Sequence, residues 1–290
     1  MSPIALLTPW EPSPPLVALF ALAGWLFFRG ARRQTVSLAR QAAFWFGFVL
    51  LYLTLHTRLD YYAEHEFFMH RIQHLILHHL APLIIMSAYP GMVMRAGLPF
   101  VWRMRLRRLQ HSRAWRAVTG VLLQPALVSL MFLASVLVWL IPSVQFVSML
   151  DWRLYDFMNW SVTISGLMYW GMLLDHRSSP PGRMRPGLRV LSPAITMTPQ
   201  ILVGAIITFT QHDLYPVFSL CGRAYDLSPL MDQTLGGLIM WVPAAVLEAI
   251  GGMLALRQLM RLSSREVLPT RRRRVAPRPR PVASSPVPPA

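Results

Sequence analysis

Histidines spaced one helical turn apart are the part of this sequence best suited to chemistry. His70, His74 and His78 follow one another at four-residue steps, and His79 comes directly after them. Residues four apart stack along one face of an α-helix, so the spacing predicts a line of imidazoles. The surrounding residues are strongly apolar, which places this helix in a bilayer. Ionisable side chains at membrane depth are costly and mark functional sites, so the stretch predicts a site on an inward-facing helix.

Imidazole and thioether groups at matching depth predict a copper site in the outer half of a helical bundle. Counted from the outer ends of their helices at about 1.5 Å per residue, His74 and Met240 reach similar depths. This ligand combination suits copper, above all Cu(I), better than zinc or magnesium. The predicted ligands are His70, His74, Met240, His212 and His56, with Gln73, Asp232 and Trp241 placed to support them. The alternative is that the histidines only bond across helices, which contributes about 1 kcal/mol each.

A second group of polar side chains is predicted deeper in the membrane. Glu248 in the last apolar segment falls near the bilayer centre, at the depth of His78 and beside His79. A buried carboxyl group next to an imidazole can share a proton or relay it. A structural pair that neutralises its own burial cost is the other interpretation, and both stay open here.

Two single residues carry further expectations. Arg71 lies within two turns of the outer end of the histidine helix, so we expect its side chain to reach outward or to pair with an acidic group. The expected acidic partners are Glu66, Asp213 and Asp232.

Cys221 is the only cysteine, which excludes an internal disulfide and a CxxC motif. We expect its thiol to be inert and not a metal ligand.

The elements that position these residues are membrane helices. Of the 290 residues 54% are hydrophobic and only 14% are charged, which does not fit a soluble domain. Seven apolar segments follow one another along the chain, at about residues 14–28, 42–55, 66–88, 118–141, 156–174, 193–209 and 235–256. The predicted fold class is therefore all-α: a polytopic membrane bundle of about seven transmembrane helices.

The arginines predict how this bundle is oriented. Loops on one side carry nearly all of them, whereas the other side carries only Arg58, Arg153 and Arg223 together with most of the acidic residues. Positively charged loops stay in the cytoplasm, so the N-terminus is expected outside and the C-terminus in the cytoplasm. The same rule accounts for the net charge of +16, and no nucleic-acid partner is expected.

Two domains are predicted from the change in composition near the C-terminus. Residues 1–262 form the seven-helix membrane domain, and residues 263–290 form a disordered, basic, proline-rich cytoplasmic tail. The arginines of the tail are expected to stay near anionic lipid headgroups, and residues 103–116 are an amphipathic candidate for lying on the inner leaflet. The sequence contains neither a GxxxxGK[ST] nor a GxSxG stretch, so we expect a protein that is not an enzyme.

Two motifs together resemble the multi-pass CtaG-type cytochrome c oxidase assembly proteins of bacteria. The first is His70-x-x-Gln73-His74 followed by Ala81-Pro82-Leu83. The second begins at Asp232-Gln233 and continues through Leu235-Gly236-Gly237 and Met240-Trp241-Val242-Pro243. The resemblance covers about residues 15–257 and includes the expectation of seven membrane helices.

The resemblance implies an assembly factor of the bacterial cytoplasmic (inner) membrane that matures a haem–copper oxidase, with copper handled for its metal centres. Oxidase subunits or other oxidase assembly factors are the implied partners, beside the lipid bilayer. By position, the residues that match the family motifs are His70, Gln73, His74, Asp232, Met240 and Trp241. The sequence departs from the family at three places. Other members commonly have a hydrophobic residue at the position of Arg71 and apolar residues at the positions of His78 and His79. At the position of Asn159 they often have a histidine.

Two other functions remain as alternatives. A haem b redox protein would need histidines on two facing helices, for example His74 or His78 with His212 or His56. Only the histidine helix carries imidazoles near mid-membrane, which argues against that arrangement. A metal- or proton-coupled transporter would use His78, His79 and Glu248.

Overall fold

The computed structural model describes residues 8–10, 13–177, 182–220 and 222–264, and most of them are helical. The helices are α1 (Pro14–Ala31), α2 (Leu38–His56), α3 (Leu59–His65), α4 (Phe67–Leu75), α5 (Ala81–Ser87), α6 (Pro90–Gly97), α7 (Phe100–His111), α8 (Arg113–Leu122), α9 (Pro125–Leu137), α10 (Pro142–Leu150), α11 (Trp152–Leu173), α12 (Pro186–Phe209), α13 (Val217–Leu220) and α14 (Pro229–Ser264). A π-helical turn, Ile76–Leu80, joins α4 to α5, and a 3-10 turn, Val138–Leu140, follows α9. Among the described residues, β pairing is limited to one isolated bridge between Pro9 and Thr57. The all-α class predicted from the sequence is confirmed. Cys221 and residues 265–290, which make up most of the predicted tail, lie outside the described residues.

Four helices are long and apolar enough to cross a membrane unaided: α1, α2, α12 and α14. Two bent pairs pass the same test when their members are taken together. Phe67–Ser87 continues into α6 at 69°, and α8 continues into Pro125–Leu140 at 54°. The described chain is thus a multi-pass membrane protein with four to six candidate spans. The seven spans and the orientation of the termini stay predictions.

The fifth predicted segment accounts for the difference between six spans and seven. It corresponds to α11, which has 22 residues and enough length for a bilayer but falls short in apolarity. Asn159, Thr163 and Ser165 lower its apolarity, and all three are buried inside the protein. Polar residues of this kind point to the bundle interior, where they serve packing or function.

Prolines start many of the helices and divide one of the predicted spans. The helices that begin with proline include α1, α6, α9, α10, α12 and α14. Proline fits the first helical position because the backbone N–H that it lacks would have no helical partner there. Pro125 starts α9 and so divides the predicted segment 118–141 into two helices. Pro193 and Pro199, by contrast, lie inside α12, which runs continuously to Phe209.

Glycines bring α14 against two neighbouring elements. A Cβ added at Gly237 would lie 2.8 Å from the Thr208 backbone nitrogen and 3.0 Å from the Gly204 carbonyl oxygen, both in α12. A Cβ added at Gly236 would overlap the Phe67 ring at the start of α4. Small residues are typical of such close helix contacts in membranes. The Gly-Gly pair of the second motif therefore places α14 beside the histidine helix.

Candidate functional site

The histidine helix changes geometry in its middle because of Pro82. Proline has no N–H, so the His78 carbonyl has no helical donor one turn later. The indole Nε1 of Trp170 in α11 donates to that carbonyl oxygen instead, at 3.0 Å. Gly166 permits this approach, since a Cβ there would lie 2.5 Å from the same oxygen. The π turn Ile76–Leu80 at this point carries two consecutive buried histidines, and such turns occur frequently at functional sites.

His70 and His74 form a buried pair on α4. Their ring centroids lie 4.4 Å apart. His70 is 0% exposed and His74 is 5% exposed. None of the four ring nitrogens makes a hydrogen bond of good geometry within the described part of the chain, although the Ala63 backbone faces His70 and the Asn159 side chain faces His74. Buried polar groups are nearly always hydrogen-bonded, so two adjacent exceptions need an explanation. Neutral imidazoles with a free lone pair are ligands for a soft cation, and the pair offers two of them one turn apart.

A small cavity lies between His74 and the last helix. It has a volume of about 20 Å³ and is lined by Arg71, His74, Leu75, His79, Val136, Gln200, Met240 and Ala244. That volume is comparable to the space of one water molecule or one ion, for which about 10–15 Å³ suffices. The structure therefore brings His74 and Met240, which the sequence places at similar depth, to the wall of one small cavity.

Arg71 lines the same cavity as a buried positive charge. Its Nη2 donates to the Gln145 side-chain oxygen at 3.2 Å, and its guanidinium lies 5.0 Å from the centroid of the Phe67 ring. No ion pair to Arg71 forms within the described ranges. The expected pairing does not occur with Glu66 or Asp232, because both carboxylates instead bind Arg223, at 3.1 and 2.7 Å. A fixed charge of this kind opposes a divalent ion at the cavity more than a monovalent one.

Asp232 and Gln233 of the second motif anchor helix ends. The Asp232 carboxylate accepts hydrogen bonds from the backbone N–H groups of Phe67 and Phe68, at 3.0 and 2.8 Å, and so caps the start of α4. A carboxylate at a helix N-terminus is stabilising. The Gln233 amide donates to the carbonyl oxygens of Ile207, Thr210 and His212 at the end of α12. Asp232 thus fixes the position of the histidine helix. The sequence-based prediction was that it would hydrogen-bond to an imidazole and orient it.

Gln73 and Trp241 also bind groups other than the imidazoles. The Gln73 amide donates to Asp60 Oδ1 at 2.6 Å, and the Tyr155 hydroxyl lies 3.2 Å from Gln73 Oε1. The same hydroxyl donates to Asp60 Oδ1 at 2.7 Å. The Trp241 indole donates to the Thr208 hydroxyl at 3.3 Å. These residues hold α3, α4, α11, α12 and α14 together around the pair.

His56 and His212 lie apart from the His70–His74 pair. His56 is buried at the end of α2, with its ring 5.2 Å from that of Tyr52, and lines a separate, larger cavity. His212 is exposed beyond the end of α12. Within the described residues, no three or more His, Cys, Asp or Glu side chains come close enough to hold a metal ion. The five-residue ligand set predicted from the sequence is thus divided: His70 lies beside His74, and Met240 lines the same cavity as His74.

The deeper group forms a continuous chain of buried polar side chains. Glu248 is fully buried, and its carboxylate accepts from Thr196 at 2.6 Å and from Gln200 at 2.7 Å. The Nε2 of His79 lies 3.3 Å from the same carboxylate. The Nδ1 atoms of His79 and His78 are 3.2 Å apart, and beyond them His78 Nε2 lies 3.4 Å from the Ser135 hydroxyl. The structure brings together the three residues named from the sequence, in a geometry that suits either a relay or a structural network.

Sequence reasoning missed Tyr155 and gave Asn159 no role at the pair. The Tyr155 ring lies 6.0 Å from that of His70, and the Oδ1 of Asn159 has no hydrogen-bond partner in the described chain. Both are buried on α11, and Asn159 faces His74. Their only signal in the sequence was that both are polar residues inside an apolar segment. They are four residues apart and so lie on one face of the helix.

Comparison with known proteins gives one match. Residues 19–262 match the model of a family described as cytochrome c oxidase caa3 assembly factor. No curated protein and no solved structure matches the chain.

Proposed function

Because the chain belongs to the cytochrome c oxidase caa3 assembly factor family, we propose that it binds Cu(I) in the bacterial inner membrane and delivers it to a haem–copper oxidase. Copper is the cargo in this proposal, and oxidase subunits or other assembly factors are the partners that receive it. The family match supports this role over a haem b redox protein or a transporter, the two alternatives from the sequence.

The observation that carries the copper proposal is the His70–His74 pair with its unbonded ring nitrogens. Both residues are buried, so water from bulk solvent does not satisfy those nitrogens. Met240 lies across the shared cavity from His74 and offers a thioether. Two imidazoles and a thioether form a soft ligand set of the kind that selects Cu(I).

Arg71 gives the proposed site selectivity and makes it reversible. Its positive charge lies at the wall of the cavity and has no acidic partner among the described residues. Repulsion from this charge doubles when the ion carries two charges instead of one, so Zn²⁺ and Cu²⁺ are disfavoured relative to Cu(I). The same repulsion limits the affinity for Cu(I), which a delivery protein needs in order to release its cargo.

An anaerobic titration tests the proposal. Purified protein in nanodiscs is titrated with Cu(I) against a competing chelator, in parallel with a His70→Ala/His74→Ala variant. A His111→Ala/His176→Ala variant is the matched control, since it also loses two imidazoles but from exposed positions. We expect the control to bind like the natural chain and the His70/His74 variant to lose the site. Equal stoichiometry and affinity in all three proteins would refute the copper site.

A further inference from the structure

A large cavity opens at the α3 end of the bundle, apart from the space between His74 and Met240. Its volume is about 490 Å³. Three indoles contribute to its wall, and so do one imidazole and two carboxylates. These residues are Trp10, Trp152, Trp160, His56, Asp60 and Asp156. At about 30 Å³ per water molecule the cavity has room for more than ten waters, so it is much too large for a single bound ion.

The lining of this cavity favours cations. Two carboxylates belong to it, and no arginine does among the described residues. Indole rings attract cations to their negative faces, and the Arg153 guanidinium already lies 5.3 Å from the Trp152 ring centroid. A cleft lined by one sign of charge raises the local concentration of counter-ions.

The inner wall of the cavity is also the outer wall of the histidine site. Asp60 lines the cavity, and its Oδ1 accepts the short hydrogen bonds from Gln73 and Tyr155. Gln73 directly precedes His74, and the Tyr155 ring lies 6.0 Å from the His70 ring. Asp60, Gln73 and Tyr155 therefore form a hydrogen-bonded link between the cavity wall and the neighbourhood of His70.

We propose that this cavity is a vestibule that collects cations, and that the Asp60–Tyr155 hydrogen bond is a gate between the vestibule and His70. The cation-collecting part stands by itself, whereas the gate rests on the proposed function. Tyr155 is a positioning residue in this scheme, since it holds Asp60 across the passage and does not bind the ion. Loss of its hydroxyl lowers the barrier in both directions and leaves the bound state unchanged.

Thiol labelling tests the vestibule without copper. In a Cys221→Ser background, Ser13→Cys places a thiol in the cavity wall. We expect a cationic methanethiosulfonate to modify it about tenfold faster than an anionic one of similar size. Asp156→Asn should reduce that ratio, whereas Asp151→Asn should not, because Asp151 caps α11 and does not line the cavity. Equal rates for the two reagents, or no modification by either, would overturn the vestibule.

Stopped-flow loading and release of Cu(I) tests the gate. In Tyr155→Phe we expect both rate constants to rise by about tenfold with the equilibrium affinity unchanged, since a hydrogen bond to a charged group is lost from the barrier. Tyr169→Phe is the matched control, a buried tyrosine of the same helix whose hydroxyl bonds to Ser192 and Thr196. Unchanged rates in Tyr155→Phe would overturn the gate. A natural chain that binds no Cu(I) would instead refute the proposed function and the gate, and the thiol result would still decide the vestibule.

Discussion

At the scale of single residues, His70 and His74 are the side chains whose environment is hardest to explain by packing. Each keeps both ring nitrogens unbonded in a buried position, although an unsatisfied buried group costs about 1–3 kcal/mol. Proteins retain such costs where function requires them, and stabilising substitutions at those positions then remove activity. A purely structural histidine would have a partner across the helix interface, as His79 has in Glu248.

Replacing the pair by leucines should therefore stabilise the copper-free protein. We expect His70→Leu/His74→Leu to raise the free energy of unfolding by about 1–3 kcal/mol, because unsatisfied polar groups are replaced by apolar ones. Thermal unfolding in detergent measures this. His79→Leu is the control, and it should destabilise the protein because it removes a partner from buried Glu248. A destabilised His70→Leu/His74→Leu variant would show that the imidazoles serve the fold.

Glu248 should show the opposite behaviour, because its carboxylate satisfies three neighbours. Glu248→Gln keeps the shape and one acceptor oxygen, so we expect a small loss of stability. Glu248→Leu leaves the Thr196 hydroxyl, the Gln200 amide and the His79 imidazole without their acceptor. At about 1–3 kcal/mol for each such group, we expect failure to fold or a large drop in the unfolding temperature. Similar stability of the two variants would contradict the hydrogen-bond network described above.

Part of this site was predictable from residue types and spacing. The four-residue step from His70 to His74 identified the pair, and depth counting brought Met240 to it. The contacts of Asp60 with Gln73 and Tyr155 join residues 13 and 95 positions apart. Such contacts depend on how helices pack, and no periodicity in the sequence reports them.

At the scale of elements, the π turn is where the histidine helix departs from its predicted form. The sequence predicts one regular helix over residues 66–88. Pro82 was the available signal, because it removes the donor for the carbonyl four residues earlier, that of His78. The hydrogen bond from the Trp170 indole to this carbonyl was not predictable, because it depends on where α11 packs.

Trp170→Phe should test whether the indole stabilises the π turn. The substitution keeps the aromatic packing but leaves the His78 carbonyl unsatisfied, so we expect a loss of about 1–3 kcal/mol in the free energy of unfolding. Trp139→Phe is the matched control. The Trp139 indole donates to the Ser161 hydroxyl, which keeps its own bond to the Met158 carbonyl, so the loss should be smaller. Equal losses in the two variants would argue against a special role for the Trp170–His78 bond.

Two glycines of α14 allow a second matched comparison. Gly237→Ala forces a methyl group against the backbone of α12, and we expect destabilisation of at least about 1–3 kcal/mol. Gly252→Ala meets nothing closer than 3.8 Å. It should be tolerated, and the better helix propensity of alanine should add up to about 1 kcal/mol. Unfolding temperatures in detergent would measure both, and a tolerated Gly237→Ala would contradict the close packing of α12 on α14.

At the scale of the whole molecule, the bundle has a polar interior and an apolar surface. Buried polar residues such as His78, Gln200 and Glu248 lie within it, whereas Phe46, Leu202 and other large apolar side chains are exposed. Lipid explains both observations, because its tails solvate the apolar surface and leave polar groups to pair internally. Hydropathy predicted the multi-pass class for the same reason. It does not identify α11 as a span, because neighbouring helices cover much of α11 and its buried face carries polar residues.

The number of spans decides which sides of the membrane the two termini occupy. Seven spans place the N-terminus outside and the C-terminus in the cytoplasm, whereas six place both on one side. We expect reporters fused at the two ends to register opposite sides, with a phosphatase active only at the N-terminus and a fluorescent protein bright only at the C-terminus. Termini on the same side would show that α11 or one of the bent pairs does not cross.

The most direct test of the copper site is X-ray absorption at the copper edge of the Cu(I)-loaded protein. The account predicts a low-coordinate Cu(I) ion with imidazole nitrogen and one sulfur as neighbours. The sulfur contribution should disappear in Met240→Leu, and the imidazole contribution should fall in His74→Ala. A spectrum without sulfur in the natural chain, or one that neither substitution changes, would contradict copper binding between His70, His74 and Met240.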